Sequence, residues 1–97
     1  MTVSTNRALL IPKEVVAELH FPSKEVLSSP EEIKNRDSEL NRALVLGNVD
    51  HNKVRILFID SEGPKMVETT IWAVTEQRII LKSGMAIPIN RITEIIT

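Results

Sequence analysis

The side chains able to do chemistry are few and scattered. His20 and His51 are the only histidines, and neither lies in an H-x-x-x-H or similar metal-binding spacing. His51 sits in "NVDHNK", where a solvated turn histidine is expected. His20 lies between Leu19 and Phe21, where partial cover is expected. There is no cysteine, which rules out thiol nucleophiles, disulfides and Cys-based zinc sites and accords with a reducing compartment. Ser23, Ser28 and Ser29 cluster where helices would start, a position that suits capping rather than reactivity. No G-x-S-x-G is present. Gly47, Gly63 and Gly84 each fall at an expected turn, and none belongs to a glycine-rich phosphate loop. The adjacent carboxylates Glu31 and Glu32 read as the acidic first turn of a helix. No catalytic residue, metal ligand or cofactor site is assigned, and the chain reads as a non-enzyme without a cofactor or an evident small-molecule substrate.

Binding is the remaining chemistry. The net charge is −1, from 12 basic and 13 acidic residues. Residues 1–41 carry five basic and seven acidic groups and residues 42–97 carry seven and six, so the halves are −2 and +1. Neither half has the strong positive field that phosphate binding relies on. Arg55, Lys65, Arg78, Lys82 and Arg91 could form a local basic patch, but scattered solvated charges are the plainer reading. The aromatics are Phe21, Phe58 and Trp72, with no tyrosine. Phe58 alternates with Val54 and Ile56 and belongs to a core. That leaves few stacking platforms for single-stranded nucleic acid.

The elements that must carry these residues follow from periodicity. A chain of 97 residues with 42% hydrophobic content makes one small globular domain. Residues 1–41 read as an N-terminal extension. "RALLIP" is a strand or arm stopped by Pro12, and "PKEVVAELHF" makes one or two helical turns. In "SSPEEIKNRDSEL", Ser29 caps, Pro30 opens the helix and Glu32 completes a capping box. Its apolar face is thin, so a short surface helix is expected. Residues 42–97 read as β structure. "RALVLGNV" is apolar and ends in turn residues. "KVRILFID" is apolar on both faces, as in a strand covered on both sides. "SEGPK", "TEQR" and "SG" are turns, with "TEQR" suiting a tight hairpin. Pro88, in "MAIPINRITEIIT", requires an edge strand or an N–H that points away from any neighbour. No apolar run approaches the roughly 20 residues that span a bilayer, and no signal-peptide pattern is visible. A soluble cytoplasmic protein is expected.

From about residue 29 onward the pattern resembles the Sm-like small β-barrel, including the bacterial Sm-like RNA chaperones, and the broader SH3-like barrel. "VRILFID" is similar to the first Sm strand, and "TTIWAVTEQRIILKSG" to the long second strand, turn and third strand. Asn90-Arg91-Ile92 falls where the family has its crossing turn. The resemblance implies a mainly β fold: a small, strongly bent antiparallel barrel of four to five strands with a short N-terminal helical extension. The RNA-contacting residues do not carry over. Thr69-Thr70 replaces the usual bending glycine, and Ile89 and Asn90 stand where the bacterial chaperones have lysine and histidine. "TEQR" lacks the hairpin asparagine of the eukaryotic pattern, and no glycine follows Arg91.

The function expected from sequence is therefore a non-catalytic protein-interaction or regulatory module, meeting a protein partner or another copy of itself. The alternative is an Sm-like RNA-binding protein using Arg55, Lys82 and Arg91. Pro88 argues against closure into a ring. Strand alternation places Val67, Thr69, Ile71 and Ala73 on one face and Glu68, Thr70, Trp72 and Val74 on the other. The resemblance puts Ile71 inward and Trp72 outward, which makes Thr70, Trp72 and Val74 the candidate partner-binding residues. The favoured cover for Trp72 is the N-terminal segment, through Leu19, Phe21 or Ile33. The other reading is an exposed anchor for a partner.

Overall fold

The computed structural model describes residues 8–97. The N-terminal half of the one long helix follows from its capping chemistry. Ser29 is extended (φ −110°, ψ 140°) and its Oγ accepts a hydrogen bond from the Glu32 N–H at 3.1 Å. Pro30 occupies the first turn, where no N–H is needed. From there α1 runs over Pro30–Asp50, 21 residues. It stops at His51, which adopts the left-handed conformation (φ 56°, ψ 29°) and donates its N–H to the Gly47 carbonyl. Arg36, Leu40, Ala43 and Gly47 form its buried stripe at helical spacing.

The strands are β1 (Leu9–Leu10), β2 (Val54–Ile59), β3 (Pro64–Thr69), β4 (Ile71–Val74), β5 (Arg78–Leu81), β6 (Ala86–Pro88) and β7 (Ile92–Ile96). Short 3-10 helices cover Lys13–Glu18 and Ile89–Arg91. One sheet has the order β1-β3-β2-β7, with β1 parallel to β3 and the other pairs antiparallel. The second sheet is β4-β5-β6, all antiparallel. β6, which ends in Pro88, is an edge strand, as a proline there requires. Val16, Leu40, Ala43, Ile56, Phe58, Val67, Ile71, Ile79, Leu81, Ile87, Ile92 and Ile95 form one core between the two sheets and α1. Burying each large aliphatic or Phe side chain contributes about 1.5–3 kcal/mol.

Two expectations are corrected here. The fold is α+β, with helix and strand each about a third of the described residues and no closed barrel among them, not a mainly β barrel. The helix is also not short, because "RALVLGNV" continues it rather than forming a strand. Gly47 accordingly lies inside α1 rather than at a turn. A Cβ there would come within 2.6 Å of the Ile71 carbonyl oxygen, so glycine is what lets α1 approach β4.

Buried polar groups stitch the irregular segments to this frame. In the β2–β3 turn, Asp60 is 3% exposed. Its Oδ1 accepts from the N–H groups of Glu62 (2.8 Å) and Gly63 (3.1 Å), and its Oδ2 from Lys65 Nζ at 2.6 Å. Arg91, 7% exposed, donates from Nε to the Ile59 carbonyl (2.8 Å) and from Nη1 to that of Lys24 (2.7 Å). No helix among the described residues is long and apolar enough to cross a membrane.

Candidate functional site

Sheet β4-β5-β6 turns one face to the core and the other outward. Ile71, Ile79, Leu81 and Ile87 point inward and are fully buried. Between Ile71, opposite Leu81, and Ala73, opposite Ile80, the register slips and Trp72 becomes an extra residue. Such a bulge changes the phase of the alternation. Val74 therefore packs against the core cluster, while Trp72 and Ala73 are both exposed.

The outward face is built in cross-strand rows. Ala73 faces Ile80, and Ile80 faces Ala86, so three apolar residues cross the sheet in a line. The bulged Trp72, 51% exposed, stands beside that line. In the next row Arg78 faces Pro88. Along β5, alternation puts Arg78 and Ile80 on the same side, and Lys82 follows Leu81, the last residue of the strand. Arg78 and Lys82 are exposed and enter no ion pair among the described residues. The face is thus an apolar strip with an unpaired cation at the start of its central strand and another just past its end. Other exposed apolar side chains, Leu9 and Leu10 on β1 and Val45 and Val49 on the outer side of α1, lack an aromatic among them.

The residues singled out from sequence scatter across the molecule. Trp72 lies on the outward face. Thr70 is buried at the break between β3 and β4, where its Oγ1 reaches toward the His51 carbonyl at 3.5 Å. Val74 lies on the core side. Among the described residues, the N-terminal segment does not cover Trp72. Leu19 and Phe21 pack on the core instead, with the Phe21 ring centred 5.6 Å from that of Phe58. Of the three candidate phosphate contacts, Arg55 pairs with Glu68 at 3.2 Å, Arg91 is buried with its guanidinium committed to carbonyls, and Lys82 is exposed. The fold does not bring them onto one surface patch. The Ala73-Ile80-Ala86 row was missed as a site by sequence reasoning, and Arg78 was named only within a candidate basic patch. The isoleucines of "RIILK" signalled a strand, but only the pairing register shows which of them faces out.

A groove of about 980 Å³ opens between the first half of α1, residues 21–25 and the β4–β5 turn. Arg36, 4% exposed, is its buried polar group, and Asp37, Glu76 and Arg78 also line it. Arg36 Nη1 and Nη2 donate to the two Glu25 carboxylate oxygens at 2.8 and 2.6 Å, and Nη1 also donates to the Ile92 carbonyl at 3.0 Å. Burial pushes the Glu25 carboxyl up, but the Arg36 bonds and the Leu27 N–H outweigh it and hold the group below the usual range. The Arg36 Nε is buried without a partner. Because the fork is spent on Glu25 and Ile92, Arg36 joins α1, β7 and the N-terminal segment and is not free to meet a ligand. Among the described residues, no three His, Asp or Glu side chains gather in a metal-holding group.

No protein-family model, curated protein or solved structure matches this chain.

Proposed function

We propose that this protein is a non-catalytic interaction module whose contact surface is the outward face of β4-β5-β6. One observation carries the reading. Trp72, the only tryptophan, is half exposed beside an apolar row formed by Ala73, Ile80 and Ala86. Exposing a large aromatic next to aliphatic neighbours has a hydration cost that a partner would remove. Tryptophan at the centre of a small apolar surface is also the residue type most enriched at binding hot spots. The register slip at Trp72 supports the reading, since it turns the indole outward while Val74 keeps its place against the core.

Site-specific photocrosslinking in the native cell tests it. A photoreactive residue at position 73 is expected to give discrete protein adducts, and one at position 45, on the outer side of α1, is not. Ile80→Asp should abolish the adducts at position 73. Equal labelling from both positions, or adducts indifferent to Ile80→Asp, would remove this face as the contact surface.

A further inference from the structure

The outward face carries two cations unpaired among the described residues, Arg78 and Lys82, as well as apolar area. Arg78 opens β5 and Lys82 follows its last residue, with Ile80 between them, and the row at Ile80 contains only Ala73 and Ala86 beside it. Glu76, in the β4–β5 turn, is the acidic residue beside this face: it shares a shallow hollow with Arg78 and Ile80 but makes no ion pair with Arg78 among the described residues. Each of the two cations is solvated and unpaired among the described residues, in contrast to Arg36, Lys65 and Arg55, which all have carboxylate partners. At the rise of a β-strand, the four steps from Arg78 to Lys82, just past the end of β5, span at most roughly 13 Å.

Resting on the interaction reading above, we propose that the partner of this face is a protein segment with an apolar centre flanked by carboxylates. The apolar side chains would lie on Trp72, Ile80 and the two alanines, and an aspartate or glutamate on each side would meet Arg78 and Lys82. Complementary charges at the rim of a small apolar contact select the partner and set its register more than they add affinity. A single-stranded nucleic acid fits the face less well. Only one aromatic is available for stacking, and the row beside it is aliphatic.

Trp72 is a built-in reporter for the test. Three synthetic peptides share a Leu-Val-Leu centre and differ in their flanks: glutamate, lysine or serine on both sides. An oligouridylate is the fourth probe. The glutamate peptide is expected to change Trp72 emission and to bind, by polarisation of a labelled peptide, at least about tenfold more tightly than the lysine peptide. Its binding should weaken with added salt. The double variant Arg78→Glu, Lys82→Glu should reverse the preference toward the lysine peptide, a gain that a misfolded protein cannot produce. Equal binding of all three peptides, preference for lysine flanks, preference for the oligouridylate, or no response to any probe would overturn the assignment of an acidic partner. Failure here is separable from failure of the interaction reading. Adducts at position 73 that Ile80→Asp abolishes would keep the face and discard only the charge assignment.

Discussion

Ile71 and Trp72 are neighbours in the chain with opposite surroundings: Ile71 is fully buried, opposite Leu81, while Trp72 is 51% exposed at the register slip. Their contributions to stability should differ in the same sense. Ile71→Ala removes core contacts and leaves a cavity, with an expected loss of about 2–5 kcal/mol. Trp72→Ala should cost less than about 1 kcal/mol, as an exposed position away from the core does. Urea unfolding of both variants measures this. A Trp72→Ala loss as large as that of Ile71→Ala would mean that the indole is packed.

Gly47→Ala sets two effects against each other. Alanine favours a helix interior over glycine by about 1 kcal/mol. Here its Cβ would lie 2.6 Å from the Ile71 carbonyl oxygen and 3.1 Å from Thr70 Cγ2. The carbonyl belongs to backbone and cannot rotate away, so α1 must move off β4. A net destabilisation of about 1–2 kcal/mol is expected, read from the shift in unfolding midpoint. A stabilised variant would show that the helix does not approach so closely.

The Arg36–Glu25 pair should behave as a unit. Glu25→Ala leaves a buried guanidinium without its carboxylate, and a loss of about 3 kcal/mol is expected. Changing both, Glu25→Ala with Arg36→Met, should recover much of it, because methionine fills the space with no charge to satisfy. A double-mutant cycle gives the coupling. Strict additivity would show that the pair is not what joins α1 to residues 21–25.

Acid should loosen the fold through Asp60 and Glu25. Burial raises the Asp60 carboxyl, but the Lys65 ammonium and two backbone N–H groups outweigh it and hold it below its ordinary value. A depressed carboxyl contributes stability that is present above its unfolded pKa of about 4 and lost as pH falls through the lower native value. Lys65 is shifted up by its hydrogen bond to Asp60, so its contribution is present below about 10.4 and lost as pH rises past its native value. Denaturant midpoints between pH 6 and pH 2 should therefore fall for the native chain and fall less steeply for Asp60→Asn, which starts from a lower plateau. Parallel curves would contradict the role given to Asp60. Glu39 has the opposite sign. Burial and the nearby Glu94 raise its carboxyl, partly offset by Arg42, so Glu39→Gln should be neutral or slightly stabilising at pH 7.

What the sequence conveyed about the fold depended on how local the cause was. The α1 N-terminus was legible because Ser29, Pro30 and Glu32 act within one turn. The same holds for the β4–β5 hairpin, whose turn is closed by Thr75 and Arg78. The second half of α1 was not legible. There a glycine, Gly47, takes the place in the buried stripe where an apolar residue normally signals a helix face, while Val45 and Val49 are exposed. "RALVLGNV" then looks like a strand. Arg91 read as a solvated charge or a nucleic-acid contact because its partners, the Ile59 and Lys24 carbonyls, are distant in sequence. On the candidate site, Trp72 was correctly set outward. The grouping with Thr70 and Val74 assumed unbroken alternation, and a bulge at one residue was enough to move Val74 to the core side.

Acrylamide quenching of Trp72 in the isolated chain tests the central claim most directly, because every step of the interaction reading needs an uncovered indole. Trp72 should be quenched nearly as freely as a tryptophan in a short peptide and should emit at a correspondingly long wavelength. A shielded, blue-shifted indole in the monomer would mean that the outward face of β4-β5-β6 is already covered, and the account of it as a contact surface would fall.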